Sequence, residues 1–279
     1  MAADLVHSTA VIDPRAALAP DVRIGAFSVI GPEVTLEPEV EIGHHVILEG
    51  TVHVGARARI GHGAIIGGLP QDLKFRPGTP TSVRIGNGAV IREYVTIHRA
   101  TQPDAATTIG PDCLIMASCH IAHDCCLGQG VIMINYAGLT GHCEVGDRAT
   151  IGGLTGIAPF TRIGTHAYIG GVSKIVSDVP PYLLVDGRPA VARGVNVIGL
   201  RRAGMTRADR RVLQDAYRLL YRSGLPVPRA MERIREELPA TGPVNTLLEF
   251  IAAAKRGVVA APADSDAALA LEGESERIF

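Results

Sequence analysis

The residues best suited to chemistry lie close together, between positions 115 and 126 of the chain. This stretch reads Ile-Met-Ala-Ser-Cys-His-Ile-Ala-His-Asp-Cys-Cys, and it holds His120, His123 and Asp124, whose side chains can all move protons. Imidazole is the side chain best suited to accept a proton near neutral pH. His123 is therefore our first candidate for a general base.

A metal site would be a competing use of the same stretch. Cys119, His120, His123, Cys125 and the more distant His142 are all side chains that zinc accepts as ligands. However, adjacent residues of a strand point to opposite faces of the sheet. We therefore expect that these groups do not all converge, and we predict no metal.

The elements that must position these side chains are visible as a repeat of six residues. Every sixth residue from Val6 to Ile66 is aliphatic, and the frame returns at Ile85 and again from Ile109 to Ile175. A period of six fits neither a helix nor a plain alternating strand. It predicts a coil of short parallel strands with three flat faces per turn, which is a triangular prism whose stacked turns bury one another.

Within this frame, His123 and His142 should lie close together. His123 is the third residue of its hexad, and His142 is the fourth residue of a hexad one full turn later. Both side chains therefore belong to the same side of the prism. Several histidines gathered on one stretch of a rigid scaffold favour a functional site.

Two polar, proline-containing segments, 68–84 and 98–108, interrupt the repeat. Loops that leave a rigid scaffold often carry function, although a merely tolerated insertion would look the same. We predict a β domain over 1–186, an α-helical domain over 187–256 and a mobile acidic tail over 257–279. An irregular link should lead to Gly194, and helices should begin at Thr206, near Pro228 and near Val244.

Composition excludes several classes of function. The chain of 279 residues is 47% hydrophobic and has a net charge of −1, so nothing in its overall charge favours nucleic acid. It contains neither a secretory pattern nor an apolar run long enough to enter a membrane as a helix. Five clustered cysteines favour reduced thiols. We therefore expect a cytoplasmic protein.

Seven arginines against two aspartates lie between Arg201 and Arg222. This imbalance is consistent with a solvated helix face, or with a docking surface for an acidic partner or a phosphate. The two aromatic residues among these arginines, Tyr217 and Tyr221, belong to the apolar stripe of the predicted helix. They are therefore not placed to stack on bases, which again argues against nucleic acid.

The repeat resembles that of the hexapeptide-repeat proteins, which form left-handed parallel β-helices. The known members are mostly acyltransferases, commonly trimeric, with active sites between subunits. A minority are zinc enzymes with a His-x4-His pair, a spacing found nowhere among the ten histidines of this chain.

A closer resemblance covers residues 5 to 256. The chain is similar to the UDP-N-acetylglucosamine O-acyltransferases that begin lipid A synthesis. The segments that carry the likeness are Gln-Asp-Leu-Lys at 71–74, Ile-Arg-Glu at 91–93, Val-Thr-Ile-His-Arg at 95–99, His-Ile-Ala-His-Asp-Cys at 120–125, Leu-Thr-Gly-His at 139–142, Asp-Val-Pro-Pro-Tyr at 178–182, Gly-Val-Asn at 194–196 and Tyr-Arg-Ser-Gly at 221–224.

This resemblance implies transfer of a 3-hydroxyacyl chain from acyl carrier protein to the 3-hydroxyl of the sugar nucleotide. It makes His123 the general base and the backbone N–H of Gly141 the donor to the oxyanion. Asp124 would be paired with the base, although neighbouring strand residues should face apart. No cofactor is implied other than the phosphopantetheine that carries the acyl group.

The resemblance also implies a set of substrate-binding residues in a homotrimer. The first loop would reach into the cleft of a neighbouring subunit, Gly171 would measure the acyl chain, and the helical region would bind the nucleotide. The residues so implied are Gln71, Asp72, Lys74, His120, His142, Gly171, Asn196 and Arg202.

The chain departs from the family pattern at Ala158, Pro159, Ile198 and Ala203. These positions are acyl and nucleotide contacts in the family, and none of them is His123. The departures leave two alternatives open, which are a 3-amino UDP-sugar as acceptor and a homologue that binds without catalysing.

Overall fold

The computed structural model describes residues 5–262 and consists of a three-sided coil of short strands followed by four helices. The strands are β1 Val11–Ile12, β2 Ala17–Leu18, β3 Arg23–Ile24, β4 Val29–Ile30, β5 Val34–Leu36, β6 Glu41–Ile42, β7 Ile47–Leu48, β8 Thr51–Val54, β9 Arg59–Ile60, β10 Ile65–Gly68, β11 Ser82–Ile85, β12 Val90–Ile91, β13 Thr96–His98, β14 Ala106–Ile109, β15 Leu114–Ile115, β16 His120–Ile121, β17 Cys126–Leu127, β18 Ile132–Met133, β19 Gly138–Leu139, β20 Glu144–Val145, β21 Thr150–Ile151, β22 Gly156–Ile157, β23 Arg162–Ile163, β24 Tyr168–Ile169, β25 Lys174–Ile175, β26 Leu183–Gly187 and β27 Ala190–Val195. The helices are α1 Val197–Arg202, α2 Arg207–Tyr221, α3 Val227–Glu237 and α4 Gly242–Ala252.

From β1 to β22, each strand pairs in parallel with the strand three places further along the chain. Sheet 1 therefore runs β1-β4-β7 and so on to β25, sheet 2 runs from β2 to β23, and sheet 3 runs from β3 to β24 and then through β26 to β27. The register is constant where the repeat is unbroken, with Ile121 opposite Leu139 and Leu139 opposite Ile157. One turn of 18 residues thus places equivalent residues directly above one another.

The aliphatic hexad positions form the core of the prism. Ile97, Ile115, Ile121, Met133 and Leu139 are all fully buried, while the residue before each of them on its strand points outward. Burial of one such side chain contributes about 1.5–3 kcal/mol. The predicted triangular prism is confirmed, and it supplies a rigid support for the side chains at its corners.

A non-glycine residue with positive φ occupies the corner in most turns. We name the corner between sheets 1 and 2 corner I, and Asp124 (φ 59°), His142 (φ 61°) and Phe160 (φ 62°) lie there. The corner between sheets 3 and 1 is corner III, and it holds Tyr94 and Tyr136. A left-handed residue makes the chain turn sharply, so side-chain alternation along a strand does not continue through a corner.

Both interruptions of the repeat leave the prism at corner I. The first lies between β10 and β11 and the second between β13 and β14, so each joins sheet 1 to sheet 2. The strands extend into both predicted segments, which leaves 69–81 and 99–105 outside them. The loops are therefore placed beside the corner that holds Asp124 and His142.

The link after the prism is not irregular, as we had predicted, but an antiparallel hairpin. β26 and β27 pair from Leu183–Val195 to Gly187–Ala190 and continue sheet 3. The two residues between the strands are Arg188 and Pro189, a pair that is not among the usual two-residue hairpin loops. The hairpin extends past residue 186, and the division into domains remains a prediction.

The three predicted helices are present, and a further helix, α1, precedes them. The Thr206 side chain accepts from the N–H of Asp209 and caps α2, and Thr241 caps α4 in the same way. Helix α2 packs against β27 and α3. The side-chain amide of Asn196 caps α1.

The first residues of the predicted mobile tail are instead held against the fold. Val258 and Ala260 form bridges with Asp178 and Val191, and the N–H of Ala192 donates to the carbonyl of Ala260. Backbone pairing to two separate elements thus fixes this short segment. The rest of the predicted tail, 263–279, lies outside the described residues.

An apolar surface follows corner III along the prism. Its members are the exposed side chains of Phe27, Tyr94, Tyr136, Leu154 and Val172. Val29 and Ile65 extend it onto sheet 1, and Leu114 and Ile132 extend it onto sheet 3. His45, Gly63 and Ser118 occupy the same corner between these residues, so the apolar side chains form an interrupted row. Exposed apolar groups gathered on one part of a surface favour an interaction site.

No helix among residues 5–262 combines the length and the apolar character that a membrane span requires.

Candidate active site

His123 and Asp124 form a hydrogen-bonded pair at corner I, directly after β16. His123 Nδ1 lies 2.8 Å from Asp124 Oδ2, and the two side chains are 14% and 11% exposed. Our expectation that these neighbours face apart was wrong, because Asp124 has a positive φ and has already left the strand. With Nδ1 held by the carboxylate, Nε2 is the basic atom available to a substrate.

The second loop holds the Asp124 carboxylate from the other side. Thr101 donates its backbone N–H to Oδ1 at 3.0 Å and its hydroxyl to Oδ2 at 2.7 Å. Burial opposes ionisation, but these hydrogen bonds and that from His123 outweigh it, so the pKa of Asp124 lies below its ordinary value. Asp124 is thus an anion at neutral pH and can stabilise a protonated His123.

His142 and Gly141 come from the next turn and lie beside His123. The rings of His123 and His142 meet edge to face at 5.2 Å, and His142 stacks on Phe160 at 4.5 Å. A Cβ at Gly141 would lie 2.4 Å from Cε1 and 2.8 Å from Nε2 of His123. Among residues 5–262, no hydrogen bond occupies the N–H of Gly141, so this donor is free next to the basic nitrogen.

His120 lies on the outer face of sheet 1 with His98, a residue that we had not selected. Their rings meet edge to face at 4.9 Å, and His120 Nδ1 lies 2.7 Å from Thr96 Oγ1. Burial, followed by His120 and His123, lowers the pKa of His98 to about 4, and burial and His123 lower that of His120. Both rings are therefore neutral at pH 7 and add no positive charge beside His123.

Sequence reasoning missed Thr101 as well as His98. His98 ends β13, which pairs with β16, but the interruption after it changes the spacing from 18 residues. Thr101 lies inside that interruption, where the repeat gives no register. The sequence did offer one signal for His98, because this residue lies in the segment 95–99 that carries the resemblance to the acyltransferases.

Four predicted residues do not join this cluster within one chain. Gln71 and Lys74 are exposed on the first loop, where the N–H of Lys74 donates to Asp72 Oδ1 at 2.9 Å. Leu73 between them is fully exposed. Gly171 lies at corner III, at the opposite edge of sheet 1 from His123.

The predicted nucleotide residues lie at α1. The Asn196 amide accepts from the N–H of Gly199 at 3.0 Å and donates to the carbonyl of His166 at 2.9 Å. Arg202 is exposed in the last turn of the helix. Asn196 therefore fixes the start of α1 and so positions the helix that carries Arg202.

Three potential metal ligands converge, although the larger set that we considered from the sequence does not come together as a whole. Ligand atoms of His123, Asp124 and His142 all lie within 4.8 Å of one another, whereas Cys119 and Cys125 are buried in the core. The convergence depends on the corner conformation of Asp124, which the alternation rule does not describe. His123 Nδ1 and both carboxylate oxygens already have hydrogen-bond partners, so the protein satisfies these groups without an ion.

A parallel three-sided coil with a histidine–carboxylate pair at a corner defines a hexapeptide-repeat acyltransferase. Residues 178–259 match the family model described as UDP-N-acetylglucosamine O-acyltransferase, domain 2. The chain is 47% identical over 259 residues to the acyl-[acyl-carrier-protein]–UDP-N-acetylglucosamine O-acyltransferase of Paraburkholderia phytofirmans, which covers 91% of this chain and 98% of the relative.

Solved structures agree with this match. LpxA from Acinetobacter baumannii is 39% identical with a TM-score of 0.87, and the UDP-N-acetylglucosamine acyltransferase from Campylobacter jejuni is 33% identical with a TM-score of 0.86. Each match covers 92% of this chain and 100% of the other. The chain belongs to the acyl-[acyl-carrier-protein]–UDP-N-acetylglucosamine O-acyltransferase family, and the predicted left-handed parallel β-helix fold is confirmed.

Proposed function

We propose that this protein transfers a 3-hydroxyacyl chain from acyl carrier protein to the 3-hydroxyl of UDP-N-acetylglucosamine, the first step of lipid A synthesis. The relative from Paraburkholderia phytofirmans is named as an O-acyltransferase that acts on acyl-[acyl-carrier-protein] and UDP-N-acetylglucosamine. The observation that carries the proposal is the His123–Asp124 pair at 2.8 Å, with the N–H of Gly141 free beside it.

The chemistry follows from this geometry. His123 Nε2 accepts the proton of the sugar hydroxyl, whose oxygen attacks the thioester carbonyl. The Gly141 N–H donates to the oxyanion that forms, and the Asp124 carboxylate stabilises the imidazolium. The C–S bond then breaks, and His123 returns its proton to the departing thiolate. The only prosthetic group in this scheme is the phosphopantetheine of the donor.

We further propose that the protein is a homotrimer with its sites between subunits. The apolar surface at corner III extends onto two different faces, sheets 1 and 3. Contact between unlike faces of identical chains forms a ring when the rotation from one chain to the next closes, and the three-sided prism suits a rotation of one third of a turn. In such a ring, the first loop is free to bring Gln71, Asp72 and Lys74 to a neighbour's corner I. The same packing would bring Gly171 of one chain towards the acyl chain held by another.

The remaining substrate contacts belong to the same proposal. His120 and His142 would contact the sugar nucleotide near the reacting centre, and Arg202 would contact its nucleotide part. Asn196 would act there mainly by holding α1. We propose that the reaction takes place in the cytoplasm, a compartment in which the five free cysteines of this chain would stay reduced.

The departures from the family pattern leave the acceptor as the point to test. Ala158 and Pro159 precede Phe160, which stacks on His142, and Ile198 is part of α1. Acyl transfer from 3-hydroxyacyl carrier proteins should be measured with UDP-N-acetylglucosamine and with its 3-amino analogue. We expect the hydroxyl acceptor to be used.

The matched variants are His123→Ala and, as control, His53→Ala on the exposed face of sheet 2. Loss of the general base should lower kcat about 10²–10⁴-fold, whereas the control should keep parental activity. Preference for the amine would replace the proposed acceptor. Absence of transfer to either acceptor from a folded protein would instead favour a homologue that only binds.

A further inference from the structure

Helix α2 carries a stripe of arginines that is not part of the site at corner I. Arg207, Arg211, Gln214 and Arg218 follow one another at helical spacing and, with Arg210 and Val197, line a groove of about 410 Å³. The stripe spans about 16 Å at the helical rise of 1.5 Å per residue. It thus offers an extended cationic surface.

Much of the charge on this stripe is not neutralised. Arg218 pairs with Asp215, and Arg210 donates to the carbonyl of Met205. Within residues 5–262, neither the Arg207 nor the Arg211 side chain has an ion-pair or hydrogen-bond partner. Guanidinium groups gathered on one helix face repel one another, so an acidic ligand would relieve the repulsion as well as pair with them.

The chain itself leads an acidic segment to this helix. The carbonyl of Ala260 accepts from the N–H of Ala192 at 2.9 Å, and the carbonyl of Ala192 accepts from the hydroxyl of Tyr217 on α2 at 2.9 Å. The segment therefore leaves the described fold within a few residues of the strand on which α2 packs. Residues 263–279 follow directly.

The C-terminal segment, 263–279, is negatively charged and is thus opposite in charge to the stripe. It contains five acidic residues and a single basic residue, Arg277. Its 17 residues can span roughly 55–60 Å when extended, several times the length of the stripe. The two solved relatives match over their full length while leaving 8% of this chain unmatched, so this chain has additional residues.

We propose that the acidic segment 263–279 docks on the arginine stripe of its own chain and competes there with the acidic acyl carrier protein. Docking itself depends only on charge and reach. The competition rests on the proposed function, because it requires the carrier protein to be the donor. The segment would act as a tethered competitor that a carrier protein must displace.

Docking is tested by binding, without any assay of acyl transfer. A labelled peptide of residues 263–279 should bind the chain truncated after Pro262, with an affinity that falls as salt rises. We expect at least about tenfold weaker binding when its five acids are replaced by their amides. Arg207→Gln with Arg211→Gln in the truncated chain should weaken binding similarly, while Arg229→Gln with Arg233→Gln on α3 should not. Equal binding by the neutral peptide, or by the stripe variant, would overturn the proposal.

Competition is tested by adding the carrier protein. We expect acyl carrier protein to displace the bound peptide, and truncation to lower KM for the acyl donor several-fold at low salt without changing kcat. If acyl carrier protein does not displace the peptide, the proposed competition is wrong. That result would not bear on the proposed acyl transfer. A truncated protein that binds peptide but transfers no acyl group would contradict the proposed function, and docking would stand.

Discussion

Gly141 lies directly above His123 in the next turn of the prism, so closely that a Cβ at Gly141 would come within 2.4 Å of His123 Cε1. Residues 18 apart stack in this fold, and at this contact the His123 ring occupies the space that a side chain at position 141 would need. In the proposed mechanism, the Gly141 N–H donates to the oxyanion that forms next to this base. One glycine would then serve both the packing and the chemistry of the site.

Gly141→Ala should abolish most activity while leaving the prism folded. The added methyl group would push His123 from its position against Asp124, and a displaced base costs about 10²-fold or more. Gly138→Ala is the matched control, because a Cβ at Gly138 meets nothing within 4 Å. Thermal melting and kcat should be measured for both. Equal activity of the two variants would remove Gly141 from the site.

Thr101→Val should move the acidic limb of the pH–activity profile to higher pH. The pKa of Asp124 is lowered because hydrogen bonds outweigh burial, and this substitution removes the hydroxyl bond of 2.7 Å. The carboxylate needed beside His123 becomes protonated as pH falls through the pKa of Asp124 in the folded protein. If that pKa is raised, protonation and the loss of activity begin at a higher pH. Profiles of kcat/KM would show it, with Thr150→Val on sheet 3 as control. An unmoved limb would mean that Asp124 protonation does not limit activity.

Chelators should leave acyl transfer unchanged. His123, Asp124 and His142 could hold an ion, but the base must keep Nε2 free for the substrate. Added Zn²⁺ should instead inhibit, and His142→Ala should weaken the inhibition by removing one ligand. Metal analysis of the purified protein would accompany the assay. Loss of activity on chelation, restored by zinc, would support a metal enzyme.

Leu154→Glu should dissociate the proposed trimer and reduce activity with it. A carboxylate between Tyr136 and Val172 in the apolar surface of corner III would be buried by the proposed contact without a partner, which costs several kcal/mol per chain. Thr35→Glu on sheet 2 places the same charge away from that surface. Light scattering and acyl transfer should be followed together. An active Leu154→Glu monomer would argue against sites shared between subunits.

The sequence predicts the prism well because the core is formed by one aliphatic residue that recurs at every sixth position. Ile121, Leu139 and Ile157 face inward because no other placement buries them, and the constant period fixes the register as well. The residues that face outward do not recur with a fixed type at a fixed spacing. The convergence of His123 and His142 could still be predicted, since it depends only on the length of a turn.

The pair formed by His123 and Asp124 could not be predicted in the same way. It depends on a left-handed corner at a residue other than glycine, which propensity does not favour. Thr101 lies in a loop without periodicity, and the hairpin of β26 and β27 has an irregular register between Leu184 and Val185. The parts of the site that do not follow the six-residue period could therefore be located only in the structure.

The two ends of the prism differ in how well they are covered, and this gives the molecule a direction in which it should unravel. Beyond the last turn lie β26, β27 and the helices, whereas Val6, Ile12 and Leu18 in the first turn are only partly buried among the described residues. Each turn of a solenoid is stabilised mainly by its neighbours. Amide protons should therefore exchange with solvent first at β1 to β3 and progressively later towards β24, with corner I well inside the protected part.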